Sequence, residues 1–230
     1  MANLLMFSGG LDSYLIKSIL QIPNERCLFV DMGTAENRME QSVIDNYFPG
    51  VIKVGMPLAA FSLKNNIIPF RNHFLALVAA NYANHIIFGF TLGDTTKDKD
   101  YVFKSQVEGV LNYFSTDTQK VLIQGPFVID LPFKHLTKTE LVALYLEKDH
   151  PASYLLTNSF SCYEGLHKPC GICRSCLRKY VALELNGIDT SGHWLNNPVD
   201  HLLAFLEESV TKNRGFEIND IQKCINLKQP

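Results

Sequence analysis

The residues best suited to chemistry form one short run near the start of the chain. This run is Ser8, Gly9, Gly10, Leu11, Asp12 and Ser13. An apolar stretch precedes it and a helical pattern follows it, so unpaired backbone N–H groups and the helix dipole favour an anion at the turn. The two glycines let the backbone approach a phosphate closely, and the two serines add hydroxyl donors. The run therefore predicts a phosphate-binding site.

Asp12 distinguishes a nucleotide complex from a bare phosphate. A carboxylate repels a neighbouring phosphate unless a divalent cation lies between them, so Asp12 predicts Mg²⁺ with ATP. A Walker A loop needs its Lys-Ser/Thr pair after a longer spacer, and a dinucleotide fingerprint needs a third glycine. Neither pattern fits this run.

Four of the six cysteines are close together in the sequence, at Cys162, Cys170, Cys173 and Cys176. This spacing predicts a closed tetrahedral zinc site, in which four thiolates leave no position for water and the metal is structural. An iron–sulfur cluster is the competing cofactor. The remaining two, Cys27 and Cys224, are expected to be buried as small apolar residues.

Apolar runs alternate with helical patterns along the chain. The predicted strands are residues 4–7, 27–30, 51–54, 86–90 and a bent final strand at 121–129; the predicted helices include 36–47, 73–84, 101–114, 141–145 and 177–185. This alternation predicts an α/β fold of three layers, with a parallel sheet that binds ligands at the carboxyl ends of its strands. Two further amphipathic segments, around residues 202–206 and 218–225, could pack on the domain or meet another subunit.

Several polar residues are expected at these strand ends. Asp31, Met32 and Gly33 follow the second strand, where they would hold adenine and ribose. Arg71 is expected at a helix N-terminus, a position that favours a bound anion beside it. The polar run 95–100 is predicted to be a solvated loop.

Lys138 is expected to be free at the start of the helix that the capping box of Thr137 and Glu140 opens. Its side chain is either a phosphate contact or merely exposed.

Composition narrows the class of protein. A hydrophobic content of 47% and a net charge of −2 predict a soluble globular protein and argue against a nucleic-acid partner. No apolar stretch reaches the roughly 18 residues of a membrane span, so a cytoplasmic location is expected. We predict an ATP-binding domain at residues 1–150, a zinc-binding segment at 151–190 and a helical C-terminal extension at 191–230.

The first run resembles the signature Ser-Gly-Gly-x-Asp-Ser of the PP-loop ATP pyrophosphatases, which cleave ATP between its α and β phosphates. Further motifs resemble one family of this group, the 7-cyano-7-deazaguanine synthases or QueC family, over roughly residues 3–190. They are Pro69-Phe70-Arg71-Asn72, Gly89 with Asp94, residues 136–140, residues 161–163 and residues 169–176.

The resemblance implies a zinc-containing PP-loop enzyme, commonly a homodimer, that uses ATP and Mg²⁺ to adenylate 7-carboxy-7-deazaguanine. Ammonia then displaces AMP to give the amide, and a second ATP drives dehydration to the nitrile. By this resemblance the catalytic residues are Asp12, Arg71 and Lys138. The ATP site comprises Ser8, Gly9, Gly10, Leu11, Asp12, Ser13, Asp31, Met32 and Gly33, and the substrate site Arg71, Asn72, Gly89, Thr91 and Asp94. The zinc ligands are Cys162, Cys170, Cys173 and Cys176.

The sequence departs from this family where the substrate is expected to bind. Phe70 stands where the family usually has glycine, Thr91 where it has asparagine, and residues 96–101 replace its usual substrate loop. These departures leave open a QueC-like antiviral enzyme that joins a deazaguanine carboxylate to a protein amine and stops at the amide. A non-catalytic nucleotide-sensing module and a tRNA-modifying enzyme are further alternatives. Residues beyond 196 have no counterpart in the resemblance.

Overall fold

The computed structural model describes residues 3–63, 67–94, 96–116 and 122–228. Within these residues, five strands form one sheet in the order β3-β2-β1-β4-β5, and every neighbouring pair is parallel. The strands are β1 (Asn3–Met6), β2 (Cys27–Asp31), β3 (Ile52–Gly55), β4 (His85–Ile87) and β5 (Val128–Asp130). The predicted α/β fold with a parallel sheet is confirmed.

Helices connect the strands and continue beyond the sheet. They are α1 (Leu11–Ile19), α2 (Ala35–Tyr47), α3 (Arg71–Ala79), α4 (Tyr101–Ser115), α5 (Lys138–Glu147), α6 (Tyr154–Thr157), α7 (Arg174–Glu184), α8 (Leu202–Thr211) and α9 (Gly215–Lys228). Short 3₁₀ turns occupy Asn24–Arg26, Leu58–Phe61, Lys97–Lys99 and Pro198–His201. Among the described residues, no helix has the length and apolar character needed to cross a membrane.

The sheet is buried on both faces because successive strand residues point to opposite sides. Leu5 and Phe29 pack with α1 and α5 residues such as Tyr145 in one apolar cluster. Leu4 and Leu28 pack with α3 and α4 residues such as Phe103 in the other. Helices therefore cover both faces of the sheet, which gives the three predicted layers.

A third apolar cluster lies outside the sheet, around the cysteines. It joins Cys176 and Tyr180 of α7 to Trp194, Phe205 of α8 and Ile225 of α9. The two amphipathic segments near the end of the chain thus pack on α7. Cys27 and Cys224 have no solvent exposure, and burial raises the pKa of Cys27 to about 12 and that of Cys224 to about 11.

The order of the strands places the first turn at the centre of the sheet. From β1 the chain runs to β2 and β3 on one side and later returns to β4 and β5 on the other. A parallel sheet binds its ligand where the strand order reverses, at the carboxyl ends. The turn between β1 and α1 occupies that position.

Several boundaries differ from the predictions. The α3 helix occupies Arg71–Ala79 instead of 73–84, β4 ends at Ile87 instead of residue 90, and α7 begins at Arg174 instead of residue 177. The predicted strand 121–129 begins outside the described residues, and its regular part is only Val128–Asp130. Gly125 and Pro126, joined by a cis peptide bond, precede this strand. Proline has no N–H to donate to a sheet, so the regular strand begins after it.

Candidate active site and metal centre

The turn after β1 is a compact loop whose shape depends on glycine. Gly9 has a φ of 74°, and a Cβ there would lie 3.1 Å from the Glu40 carbonyl oxygen. The Gly10 amide donates to Ser8 Oγ at 3.2 Å, and the Ser8 and Ser13 hydroxyl oxygens are 3.3 Å apart. Both hydroxyls therefore face the start of α1, beside the helix N-terminus.

Asp12 is paired with Lys138. The Lys138 ammonium donates to Asp12 Oδ1, although the two residues are 126 positions apart in the sequence. The pair forms because α5 packs against α1, which places the first turns of both helices together. The expectation of a free Lys138 was wrong, since its cation neutralises the carboxylate of the candidate phosphate loop.

Arg71 begins α3, as expected from the sequence. The preceding Phe70 adopts a left-handed conformation with a φ of 57° and exposes 69% of its surface. Asn72 is buried and donates to the backbone oxygen of Asp98 at 3.1 Å and to its carboxylate at 2.8 Å. These bonds bring the polar loop after β4 onto the site.

The prediction of a solvated loop at residues 95–100 holds for Thr96 and Lys97, which are exposed, but not for the half-buried residues 98–100. Residue 95 lies outside the described residues. Lys99 is only 20% exposed in its side chain and pairs with Asp94 at 2.7 Å. Asp100 caps α4 by accepting from the Phe103 amide at 2.8 Å. Composition alone indicated a solvated segment because it could not show that Asp98, Lys99 and Asp100 have partners in the folded chain.

Asp94 is held as an anion in a tight turn. Burial raises the pKa of its carboxyl, but the Lys99 ammonium, the Thr91 amide and Lys138 outweigh burial and hold it well below its usual range. The Thr91 amide donates to Asp94 Oδ2 at 3.0 Å, and buried Lys134 donates to the carbonyls of Thr91 and Asp94 at 2.9 and 2.6 Å. Desolvation lowers the pKa of Lys134. Sequence reasoning missed both Lys99 and Lys134.

Most of the candidate ATP-site and substrate-site residues line one cavity, which we call the nucleotide cavity. With its open mouth it has a volume of about 1200 Å³. Its walls include these candidate site residues: Ser8, Gly10, Leu11, Asp12, Ser13, Met32, Arg71, Asn72, Gly89, Asp94 and Lys138.

Four predicted site residues lie outside the wall of the nucleotide cavity. They are Gly9, Asp31, Gly33 and Thr91. Asp31 instead accepts from the Gly33 amide at 2.8 Å, which closes the turn after β2.

Glu40 lines the nucleotide cavity, although no sequence motif indicated it as a site residue. It lies on α2 beside the glycine turn, and Oε1 is 4.0 Å from the position that a Cβ on Gly10 would take. Burial raises the pKa of this carboxyl to about 7, with the Asn37 amide and Arg71 opposing the shift and Glu36 adding to it. The site thus contains one carboxyl that is neutral in part at physiological pH.

The four clustered cysteines form a compact centre. Their sulfur atoms all lie within 4.8 Å of one another, and Cys162, Cys170 and Cys176 are buried. Amides of Ile172 and Cys173 donate to Cys170 Sγ at 3.4 and 3.2 Å, an arrangement that stabilises a thiolate. A hydrogen bond from Cys176 lowers the pKa of Cys173 to about 5. Four sulfur donors at this separation fit a tetrahedral soft metal such as zinc.

A short segment, residues 159–163, lies between this centre and the turn after β1 (residues 8–13), which we call the phosphate turn. The Phe160 amide donates to the Gly9 carbonyl at 2.9 Å, and the Leu11 amide donates to Ser161 Oγ at 3.3 Å. On its other side the Cys176 thiol donates to the Ser161 carbonyl at 3.3 Å. Residues 160 and 161 thus contact both the cysteine centre and the candidate nucleotide site.

Lys179 of α7 also holds this segment. Its ammonium donates to Ser159 O at 2.9 Å and to Ser159 Oγ at 3.0 Å. Complete burial lowers the pKa of this lysine to about 7. No local pattern in the sequence indicated this contact.

Comparison with known proteins agrees with this geometry. Residues 20–187 match the family model described as "Queuosine biosynthesis protein QueC". A 7-cyano-7-deazaguanine synthase of Methanosarcina mazei is 32% identical over 142 residues, which are 57% of this chain and 54% of that protein. One of Chlorobium phaeobacteroides is 26% identical over 184 residues, 77% of this chain and 73% of that protein. One of Archaeoglobus fulgidus is 29% identical over 161 residues, 66% of this chain and 62% of that protein.

The aligned region therefore spans about half of the Methanosarcina mazei protein and more of the other two. The family model covers well over half of this chain, including β2 to β5 and the four cysteines. The chain belongs to the QueC family of queuosine biosynthesis proteins.

Proposed function

We propose that this protein is an ATP-dependent ligase that adenylates 7-carboxy-7-deazaguanine and transfers the acyl group to ammonia, giving 7-cyano-7-deazaguanine through the amide. The observation that carries the proposal is the nucleotide cavity, in which the glycine turn, the Asp12–Lys138 pair and Arg71 line one space. Family membership and relatives named 7-cyano-7-deazaguanine synthase support it.

The proposed first step is attack of the substrate carboxylate on the α phosphorus of ATP, with release of pyrophosphate. The Ser8 to Ser13 turn binds the phosphates, and Arg71 at the start of α3 offsets the charge that develops on the leaving group. Asp12 has the ligand chemistry to hold Mg²⁺, which would supply charge neutralisation at the phosphates. Lys138, which pairs with Asp12, lines the same cavity and in this proposal contacts phosphate when the nucleotide binds.

The second step is displacement of AMP by ammonia at the activated acyl carbon. A second ATP then activates the amide oxygen, and loss of AMP leaves the nitrile. These steps need positioning and charge neutralisation but no protein nucleophile. The cysteine centre serves as a structural zinc site in this proposal, because four thiolates fill a tetrahedral metal.

The test is mass spectrometry of the products after mixing purified protein with magnesium-ATP, 7-carboxy-7-deazaguanine and ammonium. We expect the nitrile, AMP and pyrophosphate. The Asp12→Asn variant is expected to lose at least about 100-fold in rate, as for other groups that neutralise charge in a transition state. Asp45→Asn is the matched control, because Asp45 pairs with Lys53 at 2.6 Å on the surface, where it is 45% exposed.

The products separate the proposed function from its alternatives. An amide or a tagged protein, formed with AMP but without nitrile, would replace the synthase assignment by the amide-forming one. Absence of AMP with the wild-type protein would overturn the deazaguanine assignment.

A further inference from the structure

Ser161 lines the nucleotide cavity although it is far from the phosphate turn in the sequence. Its Oγ accepts from the amide of Leu11, the first residue of α1 and 150 positions earlier, at 3.3 Å. A hydroxyl that accepts from an amide still has its own proton to donate. Within the part of the chain that the structure describes, that proton has no acceptor.

The two serines of the phosphate turn differ from Ser161, because their protons are used inside the turn. Ser13 Oγ donates to the Gly10 carbonyl at 3.1 Å. Since a hydroxyl has only one proton, Ser8 is the donor in its 3.3 Å contact with Ser13 Oγ. The Ser161 hydroxyl, by contrast, can donate to a ligand without breaking a hydrogen bond of the protein.

Two backbone amides close to Ser161 are also available to an anion. The first four N–H groups of a helix have no partner within the helix. In α1 the Leu11 amide is bonded to Ser161, while the amides of Asp12 and Ser13 have no acceptor among the described residues. These amides belong to the same helical turn as Leu11. The start of α1 therefore has three free donors, two amides and the Ser161 hydroxyl.

The backbone around Ser161 is fixed by contacts on both of its sides. The amide before it donates to the Gly9 carbonyl, and its own carbonyl accepts from the Cys176 thiol. Two residues earlier, the buried Lys179 ammonium holds Ser159 through two hydrogen bonds. A donor that is already held in place loses little conformational freedom when a ligand binds.

We propose that Ser161 is a phosphate-binding residue, whose hydroxyl donates to a phosphate oxygen of ATP while its Oγ continues to accept from the Leu11 amide. This inference rests on the proposed function and extends its nucleotide site to a residue beside the cysteine centre. A hydrogen bond from a hydroxyl to a charged phosphate is stronger than one between neutral groups. The N-terminus of α1 adds favourable potential for the same anion.

The experiment is titration calorimetry of Ser161→Ala with magnesium-ATP and with magnesium pyrophosphate. We expect the Kd of both ligands to rise at least about tenfold, as for the loss of a hydrogen bond to a charged group. Pyrophosphate has neither base nor ribose, so a loss shared by both ligands assigns the contact to the phosphates.

A hydroxyl that only caps α1 predicts the opposite direction of change. Its removal would leave the Leu11 amide free to bind phosphate, so both Kd values would stay the same or fall. The direction of the change in Kd therefore separates a ligand contact from a cap of the helix.

Two further variants control for packing. Ser161→Thr keeps the hydroxyl and should bind both ligands within threefold of the wild type. Ser18→Ala removes a hydroxyl of α1 that donates to the Tyr14 carbonyl at 3.0 Å and lies outside the nucleotide cavity, and should change both Kd values less than twofold. Metal content and circular dichroism should be the same in all three variants as in the wild type.

Two results would overturn the inference and leave the proposed function intact. One is an unchanged or lower Kd in Ser161→Ala; the other is an equal loss in Ser161→Ala and Ser161→Thr, which would assign the effect to packing. The proposed function fails separately, when the wild type binds both ligands and forms no AMP with 7-carboxy-7-deazaguanine. A wild type that binds neither ligand would overturn both.

Discussion

At the scale of single residues, Glu40 is the site residue whose charge depends most directly on its burial. The carboxyl borders the nucleotide cavity and accepts from Asn37 at 2.7 Å, with Glu36 and Arg71 as the nearest charges that act on it. Its pKa of about 7 means that the folded protein retains a proton that the unfolded chain loses near pH 4.5. This proton couples the stability of the fold to pH.

We expect the free energy of unfolding of the wild type to contain a component that falls as pH rises from 4.5 to 7. The sign follows because the folded state binds more protons than the unfolded state in this window. The component amounts to about 3 kcal/mol at about 1.4 kcal/mol per pKa unit, and Glu40→Gln should abolish it. Urea unfolding across this pH range measures the effect. Glu147→Gln, at an exposed position of α5, should retain the wild-type slope, and an identical slope in Glu40→Gln would refute the argument.

Some candidate site residues could be selected from the sequence because their chemistry is local. The glycine turn and Asp12 are adjacent in the sequence, and Arg71 follows from the start of a helix. Glu40 and Lys134 could not be found in this way, since their roles depend on residues far away in the chain. Lys138 was selected as a residue at a helix start near the sheet, and its partner Asp12 is set by the packing of α1 on α5.

At the scale of elements, residues 159–163 transmit the geometry of the cysteine centre to the phosphate turn. One edge of this segment contacts Gly9 and Leu11, and the other is held by Cys176 and Lys179. A metal bound by the four cysteines would fix the sulfur atoms that position Ser161. We propose that the centre affects nucleotide binding in this way, without touching the nucleotide.

We expect that loss of the metal weakens ATP binding before it unfolds the sheet. Displacing the two hydrogen bonds to Gly9 and Leu11 should raise the Kd for ATP about tenfold, at roughly 0.5–1.5 kcal/mol for each bond. Titration calorimetry with Cys162→Ser, together with metal analysis and circular dichroism, tests this. Cys224→Ser changes a buried cysteine outside the cluster and should retain both the metal and the wild-type Kd. An unchanged Kd in metal-free Cys162→Ser would contradict the coupling.

The sheet was predictable from the sequence because its strands are short apolar runs buried on both faces. The residues at which helices and strands begin and end were less predictable. The α3 helix begins two residues earlier than predicted, at Arg71, because Phe70 in its left-handed conformation reverses the chain before it. Apolar content alone could not show that the predicted strand 121–129 is regular only from Val128 onwards. Pro126 has no N–H to donate to the hydrogen bonds between strands. Packing of α8 and α9 on α7 is a long-range contact that periodicity does not reveal.

At the scale of the whole molecule, a largely buried ion pair connects the C-terminal helix α9 to α7 and the site. Glu217 of α9 has a side chain 8% exposed and binds Arg178 of α7, which also donates to the Gly93 carbonyl at 3.4 Å. Arg214 and Ser209 complete its partners. Gly93 lies next to Asp94, so α9 is connected to the turn that borders the nucleotide cavity.

We expect Glu217→Gln to lower the free energy of unfolding by roughly 1.5–3 kcal/mol, the range for a hydrogen bond between charged groups, because the half-buried Arg178 cation loses its carboxylate partner. The same change should lower the affinity for ATP, since Arg178 no longer holds the Gly93 carbonyl in place. Glu208→Gln is the matched control: Glu208 is 39% exposed, pairs with Arg174 and Lys212, and the change should cost less than about 1 kcal/mol.

The effect of Glu217→Gln should also depend on pH. Burial raises the pKa of Glu217, but Arg178 outweighs it and holds this pKa below 4.5. The wild-type advantage over Glu217→Gln is therefore present above pH 4.5 and declines as pH falls through the lower pKa of the folded state. Equal losses in the two variants, or a difference that does not depend on pH, would show that the Glu217–Arg178 pair does not hold the tail and that Glu217 does not position the site.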